Sequence, residues 1–450
     1  MNAGMKSICL FFQIHQPFRF RRYRFFDIGN DHYYYDDYSN ETFLRKVADA
    51  SYLPTNKLLL HLAEKYQGKF KVAFSITGVA LDQFELYAPE VIQSFKNLAN
   101  TGCVEFLSET YSHSLSSLID NDVFEQQIKL HDQKIFNLFG QKPNVFRNTE
   151  MIYSDEIGAK VYRMGYKAIL TEGARQVLGW KSPNFLYVNA LNPRLKVLMR
   201  NFKLSDDITF RFSNTNWSEY PLTAEKFIGW LEKLHAKEEV INLFLNYESF
   251  GQRQPKASGI FDFIEHWIQM VVKSDRLKFI TPFQVINELQ PISIVSVPDP
   301  ISWADEERDL TSWLGNEMQK EAFNKLYALS TQMINCKNNE LIKDWNYLQE
   351  SDHFYYMSTK YFLGNQGQIY MNPFDSPYEA FINYMNVLSD FSARVNDDSS
   401  MNINTQPNVE TLHEILREKD NKIRTLELEL QRLQKPKIKT RTKAKRDKPK

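Results

Sequence analysis

The chain has 450 residues, 43% apolar and 24% charged, the ordinary balance of a folded globular protein, which excludes collagen-like, disulfide-scaffold and mostly disordered classes. Its formal net charge of +0 hides an asymmetry: residues 435–450 hold nine Lys or Arg against one Asp, leaving the preceding 434 residues at −8. Nucleic acid is therefore a poor partner for the acidic globule, and only the basic tail has the charge to hold one.

Aromatic residues are abundant, with 33 Phe, 23 Tyr and 7 Trp. They can fill a large core and also line a groove for flat-faced ligands such as sugars. Three scattered cysteines (Cys9, Cys103 and Cys336) suggest neither a disulfide framework nor a zinc motif. The apolar run 8–12 is too short for a signal-peptide core, and no stretch approaches the roughly 18 apolar residues of a membrane span. The expectation is a cytoplasmic protein without a membrane partner.

Continuous apolar runs at 7–14, 71–76, 104–107, 145–148, 166–171, 240–246 and 277–281 read as strands buried on both faces. Helical patterns at 55–66, 122–138, 155–164, 224–237 and 261–273 separate most of them. This alternation predicts an α/β fold with a parallel sheet, possible to close as a barrel over residues 1–300. Helices at 305–335, 339–350 and 377–395 then predict a helical domain, 301–395, packed on the barrel. Residues 396–408 are polar and turn-rich and read as a linker. From 409 to 434, Val409, Leu412, Leu416, Lys419, Ile423, Leu426, Leu430 and Leu433 keep a 3,4 spacing. Only Lys419 breaks that seam, which predicts a coiled coil and a homo-oligomer. The basic tail, 435–450, reads as disordered.

In parallel α/β barrels, reactive groups gather on the loops after the strands. The first strand here ends in Gln13-Ile14-His15-Gln16-Pro17, the third leads into Glu109 and His113, the fourth ends at Arg147-Asn148-Thr149-Glu150, and the strand at 240–246 runs into Asn246-Tyr247-Glu248-Ser249-Phe250-Gly251. His15, His113 and Glu150 lack metal-motif spacing, so no metal is expected. Each residue alone has a structural explanation, as a hydrogen-bonded histidine or a helix cap.

Together, and in this order, they resemble glycoside hydrolase family 57, in its α-amylase and α-amylase-like branch. The His15-Gln16-Pro17 element, Gly102-Cys103-Val104-Glu105 continuing to His113, Phe146-Arg147-Asn148-Thr149-Glu150 and Asn246–Gly251 match the family's four motifs. Residues 351–356 and 372–381 are similar to the helical part of that branch, so the likeness covers roughly residues 5–395. The resemblance implies an incomplete seven-stranded β/α barrel closed on one side by a helical domain. It also implies a retaining α-glucan site with Glu150 as nucleophile and no cofactor. His15, Glu105, His113 and Glu248 are candidate polar sugar contacts, and Trp217 and the Tyr33-Tyr34-Tyr35 run are candidate stacking residues.

One departure bears directly on function. The family's general acid/base is the Asp that opens the fourth motif, and here that position is Asn246. Retaining cleavage needs two carboxyl groups about 5–5.5 Å apart, and an amide has neither a proton to give nor basicity. The expectation is an impaired or inactive α-1,4-glucan-binding protein for starch, glycogen or malto-oligosaccharides. The alternative is an active retaining α-amylase or 4-α-glucanotransferase that uses another carboxylate, such as Glu248, Asp206 or Asp207. A third reading gives the coiled coil and basic tail the biological role. Gln252-Arg253, beside the altered position, replaces the Glu-His common in the amylase branch.

Overall fold

A computed structural model describes residues 5–119, 121–360 and 372–404. The described residues up to Val395 form one compact unit, and those from Asn396 to Asn404 belong to a second. Ten strands are present among the described residues: β1 (Lys6–Ile14), β2 (Val72–Ile76), β3 (Val104–Phe106), β4 (Val145–Arg147), β5 (Ala168–Glu172), β6 (Leu186–Asn189), β7 (Lys196–Arg200), β8 (Val240–Asn246), β9 (Leu277–Phe279) and β10 (Ser293–Val295).

They make two five-stranded sheets. The first runs β3-β2-β1-β8, with β9 also on β1, and is parallel throughout. In the second, β10-β6-β7-β5-β4, only the β6–β7 pair is antiparallel. Backbone bonds from Ser108 N–H to the Val145 carbonyl (3.0 Å) and from Arg147 N–H to the Ser108 carbonyl (2.8 Å) connect the sheets beyond β3. At the other seam, Asn201 N–H donates to the Asn242 carbonyl (2.9 Å), and Asn242 Nδ2 donates to the Met199 carbonyl (2.9 Å).

All seven expected strands form, and three further strands appear. The strand that follows β5 within its sheet is β7, which the apolar-run criterion passed over. β9 pairs only with Lys6–Ile8, at the start of β1.

The alternation of side chains along a strand positions the site. In β1, Ile8, Leu10, Phe12 and Ile14 face one buried cluster, under the outer helices, while Cys9 and Phe11 belong to an inner cluster with Ala73, Val145, Ala168, Leu170, Leu198, Val240 and Phe244. Continuing each inner row by two residues reaches Gln13, Arg147 and Asn246. The inner column therefore turns polar at the C-terminal ends of the strands.

The 301–395 region differs from expectation in one respect. Instead of one helix over 305–335, Thr311–Leu314, Glu317–Tyr327 and Ser330–Ile334 are separate helices. Asn316 restarts the helix with a reciprocal cap to Gln319, and Asp305 and Arg308 upstream have φ of 54° and 55°, which no helix tolerates.

The helix expected over 377–395 extends as Pro377–Asn404, so residues 396–404 are helical rather than linker. Polar residues such as Asn, Asp and Ser cost only a few tenths of a kcal/mol each in a helix, and propagating an existing helix avoids the costly nucleus. The heptad segment 409–434, its expected oligomer and the basic tail 435–450 lie outside the described residues. No helix among those described is long and apolar enough to cross a membrane.

Candidate active site

At the polar end of the inner column lie two adjoining cavities, of about 350 Å³ and about 840 Å³. Glu150, Asn246, Trp303 and Asp352 line both. His15, His113 and Glu248 line the smaller one, with Gln13, Gln16, Arg253 and Tyr356. Of the residues singled out in the sequence, Glu150, Asn246, His15, His113 and Glu248 are thus brought together, and Asp206 lines the larger cavity.

Glu150 stands on the 3-10 turn Thr149–Met151 that follows β4. Its φ of 53° and the Met151 φ of 54° are left-handed, a conformation that costs a non-glycine residue free energy and persists only where the surroundings over-determine it. Here they do. Trp303 N–H donates to the Glu150 carbonyl (3.1 Å), and Tyr153 and Ile301 exchange two backbone bonds (3.0 and 2.9 Å). The Trp303 indole N–H donates to Glu150 Oε2, and His113 Nε2 lies 3.0 Å from Oε1.

His113, itself at φ 52°, sits between carboxylates, with Nδ1 3.5 Å from Glu109 Oε2. Glu109 in turn pairs with Arg147 (3.5 Å) and accepts from Ser75. Burial disfavours a charged His113, yet the two carboxylates outweigh it and hold the imidazole at about 9. Burial would equally raise Glu150, but His113, Arg147 and the Trp303 N–H bring it below the usual carboxylate range. Glu150 is therefore ionised at neutral pH, with an imidazolium beside it.

His15 stacks on His113 (ring centroids 4.1 Å apart). Burial, then the neighbouring His113 charge, lowers its pKa. Its Nε2 meets Asp352 Oδ2 at 2.8 Å and its Nδ1 meets Thr77 Oγ1 at 3.0 Å. Asp352 opens out of the helix Ser351–Tyr356, whose first N–H donates to the His113 carbonyl (3.1 Å). Against the cost of burial, the His15 imidazole holds the Asp352 carboxyl at about 2.

Across the cavity, β8 ends at Asn246, register partner of Gln13. The turn Tyr247–Ser249 follows, and there Tyr52 OH donates to Glu248 Oε1. Burial lifts the Glu248 carboxyl to about 7, opposed by Tyr52, Gln16 and Arg253.

Two sequence candidates lie elsewhere. Glu105 lines neither cavity: its Oε2 accepts the Phe283 N–H (2.9 Å) at the start of the helix Pro282–Glu288. Burial raises that carboxyl to about 7. The reason is register, since Glu105 pairs opposite Ala73, which faces Phe11, one inner row below Gln13. Trp217 packs against Trp230 (6.0 Å) with Arg211 over its ring (5.9 Å), outside both cavities. The tyrosine run serves packing: Tyr34 donates to Asp390 and Tyr35 to Asp344, and Tyr33 reaches Asp37 at 2.6 Å.

The sequence reading missed Trp303 as the groove's aromatic wall. Its ring lies between the guanidinium groups of Arg147 (5.3 Å) and Arg200 (5.6 Å). No motif marks it, because Glu150, Arg147 and Arg200, which its indole meets, are more than a hundred residues away. Asp352 fell inside the matched stretch 351–356 without being singled out. Of the other acids considered, Asp206 is paired with Arg200 (2.5 Å) and Arg308 (3.8 Å), and Asp207 with Arg211 (2.6 Å). Among the described residues, His15, Glu350 and Asp352 bring ligand-type atoms within 4.8 Å of one another. His15 and Asp352 there bond each other, and Glu350 Oε2 accepts the Phe18 N–H (3.0 Å).

Chemically, the cavities pair an ionised carboxylate with an amide, in a groove lined by an indole and several polar side chains. The Glycosyl hydrolase family 57 model matches residues 9–298. A Methanocaldococcus jannaschii protein provisionally named an alpha-amylase is 40% identical over 393 residues, covering 84% of this chain and 83% of its own. The Alpha-amylase 1 of Dictyoglomus thermophilum is 22% identical, and the match spans 70% of this chain but 45% of that protein. Among solved structures, the family 57 branching enzyme of Thermococcus kodakaraensis aligns with a TM-score of 0.66 at 13% identity, over 93% of this chain and 94% of its own. The AmyC alpha-amylase of Thermotoga maritima aligns with a TM-score of 0.59 at 13% identity, over 91% and 96%. With four motifs in order, a matching family model and the same α/β architecture, the chain belongs to glycosyl hydrolase family 57.

Proposed function

We propose that this chain binds α-1,4-glucans in the groove of the two cavities and cleaves them slowly or not at all. The observation that carries the reading is the pairing of Glu150 with Asn246 along both cavities. A carboxylate positioned to attack a sugar's anomeric carbon is kept, while the position from which a departing oxygen would be protonated holds an amide. Asp352 does not replace it, because a carboxyl held at about 2 carries no proton at neutral pH. Asp206 and Asp207 are committed to arginines.

The two sheets, connected at both seams, are read as the staves of an incomplete β/α barrel, with 301–395 as its helical cover. The free thiols of Cys9, Cys103 and Cys336 fit a reducing compartment and support a cytoplasmic location.

The test pairs binding with turnover. Calorimetry with maltoheptaose should show micromolar-to-millimolar binding, and amylose should release negligible reducing sugar until Asn246→Asp restores an acid. No heat at millimolar maltoheptaose would remove the reading. A second reading, an active retaining α-amylase or 4-α-glucanotransferase, is favoured by Glu248, which lines the smaller cavity and at about 7 carries a proton near neutrality. Turnover by the native protein that Glu248→Gln abolishes would establish it.

A further inference from the structure

Trp180 is 94% exposed, more than any other large apolar side chain among the described residues. Tryptophan is highly buried on average, so an indole left almost wholly in water is unusual for its type. This ring stands on a fixed mount. The short helix Arg175–Leu178 precedes it, and Gly179, at φ 56°, turns the chain in a left-handed conformation open to glycine. Gly179 N–H donates to the Arg175 carbonyl (2.8 Å) and Lys181 N–H to the Leu178 carbonyl (2.9 Å). Lys181 Nζ reaches the Ile294 carbonyl (3.0 Å). Both flanks of Trp180 are pinned, so the backbone beneath the ring needs little ordering when a ligand meets it.

The mount is joined to the groove. Gln176 Nε2 donates to the Glu307 carbonyl (3.0 Å), and Arg175 and Arg308 both lie over the Phe202 ring (5.4 and 5.3 Å). Glu307 and Arg308 line the larger cavity. On the strand bonded to Lys181, Ile294 is about half exposed, as is Ile292 just before it. One indole and two isoleucines are far short of the roughly 1,200–2,000 Å² that a stable protein interface buries. The flat, exposed indole suits the C–H face of a sugar ring.

We propose that Trp180 is a surface platform for α-glucan chains that extend beyond the larger cavity, so that a polymer has two footholds where a short oligosaccharide has one. The ligand class rests on the glucan reading of the groove. Two linked contacts on one polymer raise its retention without changing the affinity of either contact.

The experiment compares native protein with Trp180→Ala, Trp180→Phe and Trp180→Leu by mobility in amylopectin gels and by calorimetry with maltotriose. Trp180→Ala and Trp180→Leu should weaken amylopectin retention about five- to tenfold, with maltotriose affinity within about twofold of native. Trp180→Phe, which keeps a ring, should retain most of the effect. Unchanged retention in Trp180→Ala, or native retention in Trp180→Leu, overturns the platform. So does a native dimer that Trp180→Ala dissociates in sedimentation, because the ring would then be a protein contact. Maltotriose binding with Trp180-independent amylopectin retention defeats the platform alone. Trp180-dependent retention without maltotriose binding sustains the platform and defeats the groove reading.

Discussion

On one wall of the groove, Glu150 is held by His113 and Trp303, and through His113 it is coupled to Glu109 and Arg147. On the other wall, Asn246 closes β8 as the last of an inner row that alternates with the core. The first wall draws charged groups from several loops into one buried network, where removing any member strands the others. The second ends a strand, where Asp and Asn are nearly the same size and shape above the apolar row that includes Phe244. Chemistry can therefore lapse on the second wall while stability preserves the first. Under the proposed reading, the buried network around Glu150 is by itself no evidence of turnover.

The largest expected effect acts on the second wall. If the first wall is intact, Asn246→Asp should raise the rate on amylose by about 10²–10⁴-fold, the usual worth of general acid–base help. A variant as silent as the native protein would show that the first wall is impaired too.

Next comes His113. Replacing it with Ala removes the imidazolium between Glu109 and Glu150, leaving Arg147 as their remaining cation, and should cost about 3–5 kcal/mol in denaturant unfolding. A loss below about 1 kcal/mol would break the contrast between the walls. The pH dependence follows from the same group. Its folded pKa of about 9 lies above the unfolded value near 6.5. Its contribution is full below about 6.5 and is lost as pH rises through about 9. Thermal unfolding of His113→Gln should lack that alkaline decline.

Glu105 provides an internal control, being buried away from both walls. A carboxyl raised to about 7 binds a proton more tightly folded than unfolded, so stability falls as pH rises from about 4.5 to about 7. Glu105→Gln should remove up to about 3 kcal/mol of that fall and leave maltoheptaose binding unchanged. A binding defect would return Glu105 to the site.

The smallest effect concerns the indole. Trp303→Phe keeps the ring and deletes the N–H on Glu150, which should weaken maltoheptaose binding by about threefold to tenfold, or roughly 1 kcal/mol. Unaltered affinity would mean that the ring alone matters there.

The contrast also explains what was legible in the sequence. Strands buried on both faces announce themselves as unbroken apolar runs, so seven strands and the polar residues at their ends could be read directly. β7 could not, because it begins at Lys196 and ends at Arg200, and charge at both ends disguised a short buried segment. Glu105 was misassigned because a motif gives order along the chain but not depth along a strand. Trp217 followed from residue type alone. Trp303 and Asp352 reach the groove from beyond residue 300, where neither periodicity nor spacing relates them to Glu150. Local pattern finds what a strand carries to its own end; it cannot find what another part of the chain lays across that end.

The two backbone bonds between Tyr153 and Ile301 have a bearing on how this architecture can be inherited. They zip the turn that carries Glu150 to the first residues after the sheets, so the boundary near residue 300 runs through the groove instead of beside it. A gene fragment stopping there would encode every strand yet omit the indole that caps Glu150 and the aspartate that holds His15.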